Sequence, residues 1–195
     1  MKKMKFLALI WVLNLFSVQA QEKWQTSAQL DFIFPSNKEY SYNDSNNVFT
    51  DVELDNSGFL LSSFAVQGDY NYFILKKLSI GVVGGFQTLS KPSYSFLKVG
   101  GVMRYFFTDK NSGFLYINAT NDFSLNKDKF KTGATARAGV GFPILQKDEY
   151  QLILNLFGEY TQLQLDGGKP LLGLPDETPK YYATRSLGLS VGIVF

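Results

Sequence analysis

The sequence predicts an all-β fold: an eight-stranded antiparallel up-and-down transmembrane β-barrel preceded by a cleavable signal peptide. Three observations support this prediction. Eight segments alternate between apolar and polar residues with a period of two, which is the pattern of a strand with two different faces. Aromatic residues are abundant, with 18 Phe and 11 Tyr. Beyond residue 20, no apolar run is long enough to predict a membrane-spanning helix.

The start of the sequence predicts the signal peptide. Lysines at positions 2, 3 and 5 precede an apolar run over residues 6–18, which is too short for a membrane span. Small residues occupy the −3 and −1 positions of an expected cleavage site between Ala20 and Gln21. No Cys follows this run, which excludes a lipid-anchored lipoprotein. Residues 1–20 are therefore assigned to the signal peptide and residues 21–195 to the barrel domain, with a retained N-terminal anchor as the alternative.

The first four strands show the alternation clearly. They are predicted at residues 24–34, 59–73, 78–87 and 95–106. In the first, Leu30 and Phe32 share one face, and Gln29 and Asp31 share the other. A tight turn at residues 75–77 joins the second strand to the third, as expected for neighbouring antiparallel strands.

The last four strands are predicted at residues 114–125, 131–144, 150–163 and 181–195. A polar turn at residues 108–113 precedes the fifth strand. The sixth is weaker because its apolar face is mostly alanine, and Ile153 and Phe157 break the pattern of the seventh. The turns after strands two, four and six are short, whereas the connections over residues 35–58 and 164–180 are long. This asymmetry and the even strand number are typical of barrels that span an outer membrane.

The composition of the two faces predicts which one points outward. A soluble barrel with an apolar interior would have an outer face rich in Lys and Glu. Here the polar face carries mainly Gly, Ser, Thr, Asn and Gln, which suits the crowded lumen of a small barrel. The apolar face carries aromatic residues near both strand ends: Trp24, Tyr72, Tyr105, Tyr150 and Phe195 at one, and Phe34, Phe86, Tyr160 and Tyr181 at the other. Two such belts are expected at two membrane interfaces, so the apolar face should contact lipid.

Charged residues on the inward face form the candidate site. They are Asp31, Asp69, Lys98, Arg104, Asp122, Arg137 and Glu159. Counting back from the turns places Lys98 opposite Asp122, Arg104 opposite Tyr116 and Arg137 opposite Phe157, with Glu159 on the diagonal. Opposite charges should pair there, because a low dielectric makes an unpaired charge costly. The preferred interpretation is a structural plug, and a gated small pore or ion path is the alternative.

The final strand carries the most specific pattern in the sequence. Large apolar residues occupy alternate positions back from the last residue: Leu187, Leu189, Val191, Ile193 and Phe195. This pattern resembles the C-terminal signature of bacterial outer-membrane β-barrels, which in that family is recognised by the barrel assembly machinery. A membrane sheet must also close on itself, so this strand is expected to pair with residues 24–34.

The wider resemblance is to a class of small barrels. With its signal peptide and eight strands, the chain resembles OmpA/OmpX-like barrels. Its Asn-, Lys- and Tyr-rich composition and Gly-rich strands are similar to porin-family or PorT-like proteins of Bacteroidetes. The resemblance implies a location in the cell outer membrane, with membrane lipid and the barrel assembly machinery as partners. It does not specify an activity, because one fold hosts many functions.

Missing residue types exclude several functions. The sequence has no His and no Cys, so a Ser–His–acid hydrolase mechanism and thiol chemistry cannot operate. No basic stripe predicts a nucleic-acid partner, no motif predicts a cofactor, and no metal site is predicted outside the acidic loop 35–58. A carboxylate pair or a Ser–Lys dyad is the remaining catalytic alternative, but no spacing singles one out. We predict a protein that is not an enzyme and has a structural, adhesion or protein-interaction role through its extracellular loops. The alternatives are a narrow pore or transporter for small solutes or ions, and a subunit of an envelope export machinery.

The two long loops are the candidate sites for an extracellular or envelope protein partner. Loop 35–58 is acidic, and alternation over residues 51–55 predicts a hairpin that continues above the membrane. A calcium site from Asp51, Glu53 and Asp55 is the weaker alternative, since the glycine-containing calcium-loop pattern is missing. Loop 164–180 has three prolines and an apolar centre, which predicts a lid over the barrel mouth, with a partner contact as the alternative.

Overall fold

The computed structural model describes residues 23–54, 63–125, 129–166, 168–174 and 176–195. The predicted signal peptide and the first residues of the predicted second strand lie outside these ranges. No helix in the described ranges is long and apolar enough to cross a membrane.

Nine antiparallel strands make up the described chain. They are β1 (Trp24–Asn43), β2 (Phe49–Glu53), β3 (Ser63–Leu75), β4 (Leu78–Ser90), β5 (Ser93–Phe106), β6 (Phe114–Ser124), β7 (Thr132–Gln146), β8 (Gln151–Gln164) and β9 (Thr178–Val194). Each of β3 to β9 pairs with its neighbour in sequence, and β1 pairs with both β3 and β9. These eight strands form a closed barrel, which confirms the predicted fold class. The short β2 pairs only with the end of β1.

The two ends of the barrel differ. The end that carries the short connections between β3 and β4, β5 and β6, and β7 and β8 also holds the first and last described residues. There the Phe195 amide donates to the Thr26 carbonyl at 2.9 Å. We call this the turn end and the opposite one the loop end.

The β1 strand is longer than predicted. It was expected to end at Phe34 but continues to Asn43, and a register shift against β9 lies between Pro35 and Asn37. Pro has no N–H for a strand ladder and is tolerated in a sheet at such irregularities, so it does not end the strand. The continuation pairs with β2, which confirms the hairpin predicted for this loop.

The outer face of the barrel is apolar, as predicted. Large aliphatic and aromatic side chains are exposed on every barrel strand, for example Leu30, Val82, Leu115, Leu156 and Leu187, the last with 59% of its surface exposed. At the turn end, Trp24 stacks on Tyr70 with ring centroids 4.6 Å apart, and Tyr105 is exposed nearby in the predicted belt. Such a continuous apolar surface on a closed sheet is stable in lipid rather than in water.

Two apolar clusters lie inside the barrel, where the sequence predicted only polar filling. The loop-end cluster contains Tyr40, Tyr42, Leu89, Tyr94, Phe96, Phe130, Leu163, Leu165 and Tyr182. The turn-end cluster contains Ile33, Ala65, Phe106, Phe114, Tyr116, Ile153, Phe157 and Val194. Ile153 and Phe157, which broke the predicted alternation, are therefore inward residues of the second cluster.

Candidate functional site

The centre of the lumen is a buried network of charges built around Arg137 on β7. Its Nη1 donates to Asp31 Oδ2 at 2.7 Å. Its Nη2 and Nε donate to Glu159 Oε2 at 2.6 and 2.9 Å. The guanidinium also lies over the Phe157 ring, with its carbon 3.8 Å from the centroid. One cation thus joins β7 to carboxylates on β1 and β8, with all three side chains at most 1% exposed.

Lys98 extends this network to β5. Its ammonium donates to Glu159 Oε2 at 3.2 Å and to Gln87 Oε1 at 2.8 Å. Gln87 in turn donates to Glu159 Oε1 at 3.0 Å. Glu159 is therefore held by two cations and an amide. Such ion pairs and hydrogen bonds offset the cost of burying a carboxylate in a low dielectric.

Asp31 and Asp122 are also held by neutral donors. Gln29 donates to Asp31 Oδ1 at 2.9 Å, and Gln67 donates to its other oxygen. The Thr120 and Thr135 hydroxyls donate to Asp122 at 3.0 and 2.6 Å. Within the described chain, Asp122 forms no salt bridge, although Lys98 is its cross-strand neighbour.

A second, smaller network lies nearer the turn end. Arg104 Nη2 donates to Asp69 Oδ2 at 2.7 Å and to the Ser27 hydroxyl at 3.2 Å. Ser27 donates to the same Asp69 oxygen at 2.5 Å, and Asn71 donates to the other oxygen. The Arg104 guanidinium carbon is 5.1 Å from the centroid of the Phe114 ring, which belongs to the turn-end cluster.

The structure places all seven predicted lumen charges inside the barrel and buried. The predicted cross-strand positions of Lys98 opposite Asp122 and Arg104 opposite Tyr116 are confirmed. The position of Arg137 opposite Phe157 is wrong, because Arg137 lies directly opposite Glu159.

The cause of this error is the β7–β8 turn. The predicted turn is centred on Lys147. In the structure Gln146 pairs with Gln151, so the turn is centred further along the chain. A further register shift lies between Pro143 and Leu145. Neither feature follows from the alternation of β7, which is weak at this end.

Sequence reasoning missed the neutral side chains that complete the network. Gln67, Gln87, Thr135 and Thr161 are buried and each contacts a predicted charge or its partner. The period of two places Gln67, Gln87 and Thr135 on the inward face and extends to Thr161, but it does not show which charge each of them contacts. Lys38 was also missed, because it lies beyond Pro35 in a segment predicted to be a loop, yet it is buried.

The predicted lid segment contacts the loop-end cluster through its apolar centre. Leu171 packs against the loop-end cluster, whereas Leu172 and Leu174 are exposed. Glu177 holds this segment in place: its Oε1 accepts the Leu171 amide at 2.9 Å, and its Oε2 accepts the Leu174 amide at 3.1 Å. The Tyr40 hydroxyl from β1 donates to the same carboxylate.

These contacts favour the ionised form of Glu177. Burial alone would raise its pKa, but the hydrogen bonds from the Tyr40 hydroxyl and from the backbone amides lower the pKa below its usual value. Burial raises the pKa of the Tyr40 hydroxyl, and the neighbouring Glu177 carboxylate raises it further. The lid is therefore attached to β1 by a carboxylate that is charged at neutral pH.

The predicted assembly-signal residues lie on the outer face of β9, except Phe195, which directly follows the strand. Leu187, Val191 and Phe195 are exposed, and Leu189 and Ile193 are partly exposed. Ser190, between them, is fully buried and accepts a hydrogen bond from Asn155 at 3.0 Å. Val194 is inward and belongs to the turn-end cluster.

The calcium alternative concerned Asp51, Glu53 and Asp55. Asp55 lies outside the described residues. Among those that are described, no group of three or more His, Cys, Asp or Glu side chains is arranged to hold a metal ion.

Comparison with known proteins finds similarity only at the level of architecture. No family model matches the sequence, and no curated protein matches it. The chain is similar to the outer membrane protein OprG from Pseudomonas aeruginosa, with 9% identity, a TM-score of 0.48 and coverage of 89% of this chain and 95% of that one. It is similar to the outer membrane protein AlkL in lipid bilayers, with 11% identity, a TM-score of 0.46 and coverage of 89% and 90%. Neisserial surface protein A gives 13% identity, a TM-score of 0.40 and coverage of 86% and 96%.

Proposed function

We propose that the protein is an integral outer-membrane β-barrel that does not conduct solutes and acts through its loop end, as a structural, adhesion or protein-interaction component. The observation that supports this role is the filled lumen. Apolar clusters occupy both ends of the barrel interior, and paired charges occupy the centre. The exposed apolar outer face favours the membrane location.

The central charges favour a structural role over conduction. A selective pore needs charged or polar groups that line a water-filled path and remain available to a passing ion. Here the Arg137 guanidinium pairs with Asp31 at 2.7 Å and with Glu159 at 2.6 Å, and so links three strands across the lumen. The interior of an eight-stranded barrel is just wide enough for side chains to fill, and these groups occupy its centre.

The loop end is the part of the molecule with features available to a partner. β1 and β2 project beyond the β4–β5 turn, since β4 ends at Ser90, one residue past the level of Ile33, whereas β1 continues to Asn43. The lid segment exposes Leu172 and Leu174 at the same end. The first and last described residues lie at the turn end, and in outer-membrane barrels the end with the short turns faces the periplasm, so the loop end faces outward.

Planar-bilayer recordings on purified, folded protein test this function. Folding is checked first by heat-modifiable migration on a gel, so that a silent bilayer is not caused by unfolded protein. We expect no reproducible conductance steps above the lipid background. Reproducible steps that scale with the amount of folded protein would favour the narrow pore instead.

A further inference from the structure

The short strand β2 lies at the loop end of the barrel and, among the described residues, is paired along one edge only. The last residues of β1 lie between two strands, because residues 39–43 pair with β2 on one side and with β9 on the other. In the described part of the chain, β2 pairs with no strand other than β1. A row of unpaired backbone groups along a strand edge is a template for another extended chain.

The register shows which residues form this edge. The Leu54 amide donates to the Lys38 carbonyl at 2.9 Å, and the Asp44 amide donates to the Val48 carbonyl at 3.0 Å. Backbone groups alternate in direction along a strand, so the N–H and C=O groups of Thr50 and Val52 also point toward β1. Those of Phe49, Asp51 and Glu53 point away from β1, toward the unpaired edge.

The outer face of this hairpin has an excess of negative charge. Glu39 lies directly opposite Glu53, and Asp51 is two residues away on the same face. Like charges directly opposite each other are destabilising. Among the described residues, Glu39 has the Arg185 guanidinium as counter-charge at 3.4 Å, and Glu53 accepts a hydrogen bond from the neutral Asn37 amide at 3.0 Å.

Two large apolar residues stand beside these acids. Val48 and Phe49 are 55% and 54% exposed, although they lie at the loop end and beyond the strands that carry the lipid-facing band. Their exposure gives a partner an apolar contact at one end of the edge and carboxylates at the other. The apolar residues lie at the start of β2 and the acids towards its end, so a partner strand can match them in one orientation only.

We propose that residues 49–53 are a docking strand for an extended, basic segment of an extracellular polypeptide, which adds to β2 as an antiparallel strand. This inference rests on the proposed role of the loop end in protein interaction and names the partner class. Antiparallel pairing places partner residues in the order basic, any, basic, any, apolar, opposite Glu53, Asp51 and Phe49. A second copy of this chain is disfavoured, because antiparallel pairing of β2 with itself about its centre places Asp51 opposite Asp51.

Amide hydrogen exchange on the folded, full-length mature protein tests the edge. The probe is a short threonine-rich peptide with two alternating lysines and a leucine two residues further on. We expect the amides of Phe49, Asp51 and Glu53 to exchange quickly in the free protein and slowly with the peptide, while those of Thr50 and Val52 exchange slowly in both. Protection of the first three amides without peptide would overturn the proposal, because the edge would already be covered.

Matched variants test the charge and the backbone separately. Asp51→Asn/Glu53→Gln should weaken peptide binding about tenfold, as expected from the loss of two cross-strand ion pairs. Asp148→Asn/Glu149→Gln, which removes two acids from the exposed β7–β8 turn, should leave it unchanged. Asp51→Pro, which also removes the outward N–H, should weaken binding more than Asp51→Asn does.

The outcomes separate this proposal from the proposed function. Equal binding of the lysine peptide by wild type and by Asp51→Asn/Glu53→Gln would overturn the docking strand, as would equal binding of a peptide with glutamates in place of the lysines. If the docking strand is overturned but the barrel is silent in bilayer recordings, the proposed function stands, and the interaction site lies elsewhere on the loop end. A conducting barrel that binds the peptide would overturn the first proposal and support the second.

Discussion

Replacement of Arg137 by methionine tests the energetic role of the lumen network. Methionine retains much of the apolar length of the side chain but removes the guanidinium that contacts Asp31 and Glu159. After the change, Glu159 keeps Lys98 at 3.2 Å, and Asp31 keeps only the amides of glutamines. The variant therefore leaves one buried carboxylate without a cation and another with a single cation.

The structure predicts a large loss of stability for this change. Three charge-assisted hydrogen bonds of 2.6 to 2.9 Å are lost from side chains that are at most 1% exposed. Removal of one partner from a buried ion pair typically costs about 3–5 kcal/mol. A matched control is Lys180→Met, which breaks the 3.5 Å pair with Asp166 at the loop end, where both side chains are about one-third exposed. Exposed pairs contribute about 0–1 kcal/mol.

Urea unfolding in detergent micelles or lipid vesicles measures both variants. Trp24, which lies in the turn-end aromatic belt, reports folding by its fluorescence. The double variant Arg137→Met/Asp31→Asn should recover about 1 kcal/mol relative to Arg137→Met, because the stranded carboxylate is gone. If Arg137→Met unfolds at the same urea concentration as Lys180→Met, the lumen network does not stabilise the barrel.

Three further predictions concern other parts of the barrel. A Cβ at Gly188 would meet the ring of Phe157, whereas a Cβ at Gly158 meets nothing within 4 Å; Gly188→Val should therefore lower the free energy of unfolding by about 1–3 kcal/mol, and Gly158→Val should change it little. Deletion of Phe195 should reduce membrane insertion far more than Val194→Ala does, measured as the heat-modifiable fraction in cells, and equal insertion would contradict the assigned assembly signal. The pKa of Glu177 is lowered in the folded state, so its stabilisation of the lid is present above the ordinary glutamate pKa and is lost as pH falls through the lowered value. The protection factor of the Leu174 amide, which compares its exchange rate with the intrinsic rate at the same pH, should fall over this acidic range in wild type, and a Glu177→Gln variant that shows the same pH dependence would exclude Glu177 as the cause.

The strands and their faces were predictable because the lipid and the lumen impose opposite demands on alternate residues. Leu187 and Ser190 on β9 illustrate this: one is exposed on the apolar surface and the other is fully buried among polar groups. The register of β5 on β6 was also predictable, because no irregularity intervenes between the turn and Lys98. Alternation and turn position together determine such pairs.

The features that were not predictable depend on three-dimensional contacts. The continuation of β1 past Pro35 depends on pairing with β9 and β2, which are distant in sequence. The choice of Glu159 rather than Asp122 as the partner of Lys98 depends on how side chains from four strands share the lumen. A pattern of two faces shows that a charge points inward, but it does not show which inward group the charge will reach.

Access of a small reagent to Lys98 tests the sealed lumen most directly. Lys98 lies at the centre of the barrel with 1% of its surface exposed, and Lys110 lies exposed in the β5–β6 turn. The folded protein is treated with a small water-soluble amine-reactive reagent, and modification is read at each lysine by mass spectrometry. We predict that Lys110 is modified and Lys98 is not until the barrel is unfolded. Modification of Lys98 in the folded barrel at a rate comparable to that of Lys110 would show an open lumen and contradict the account.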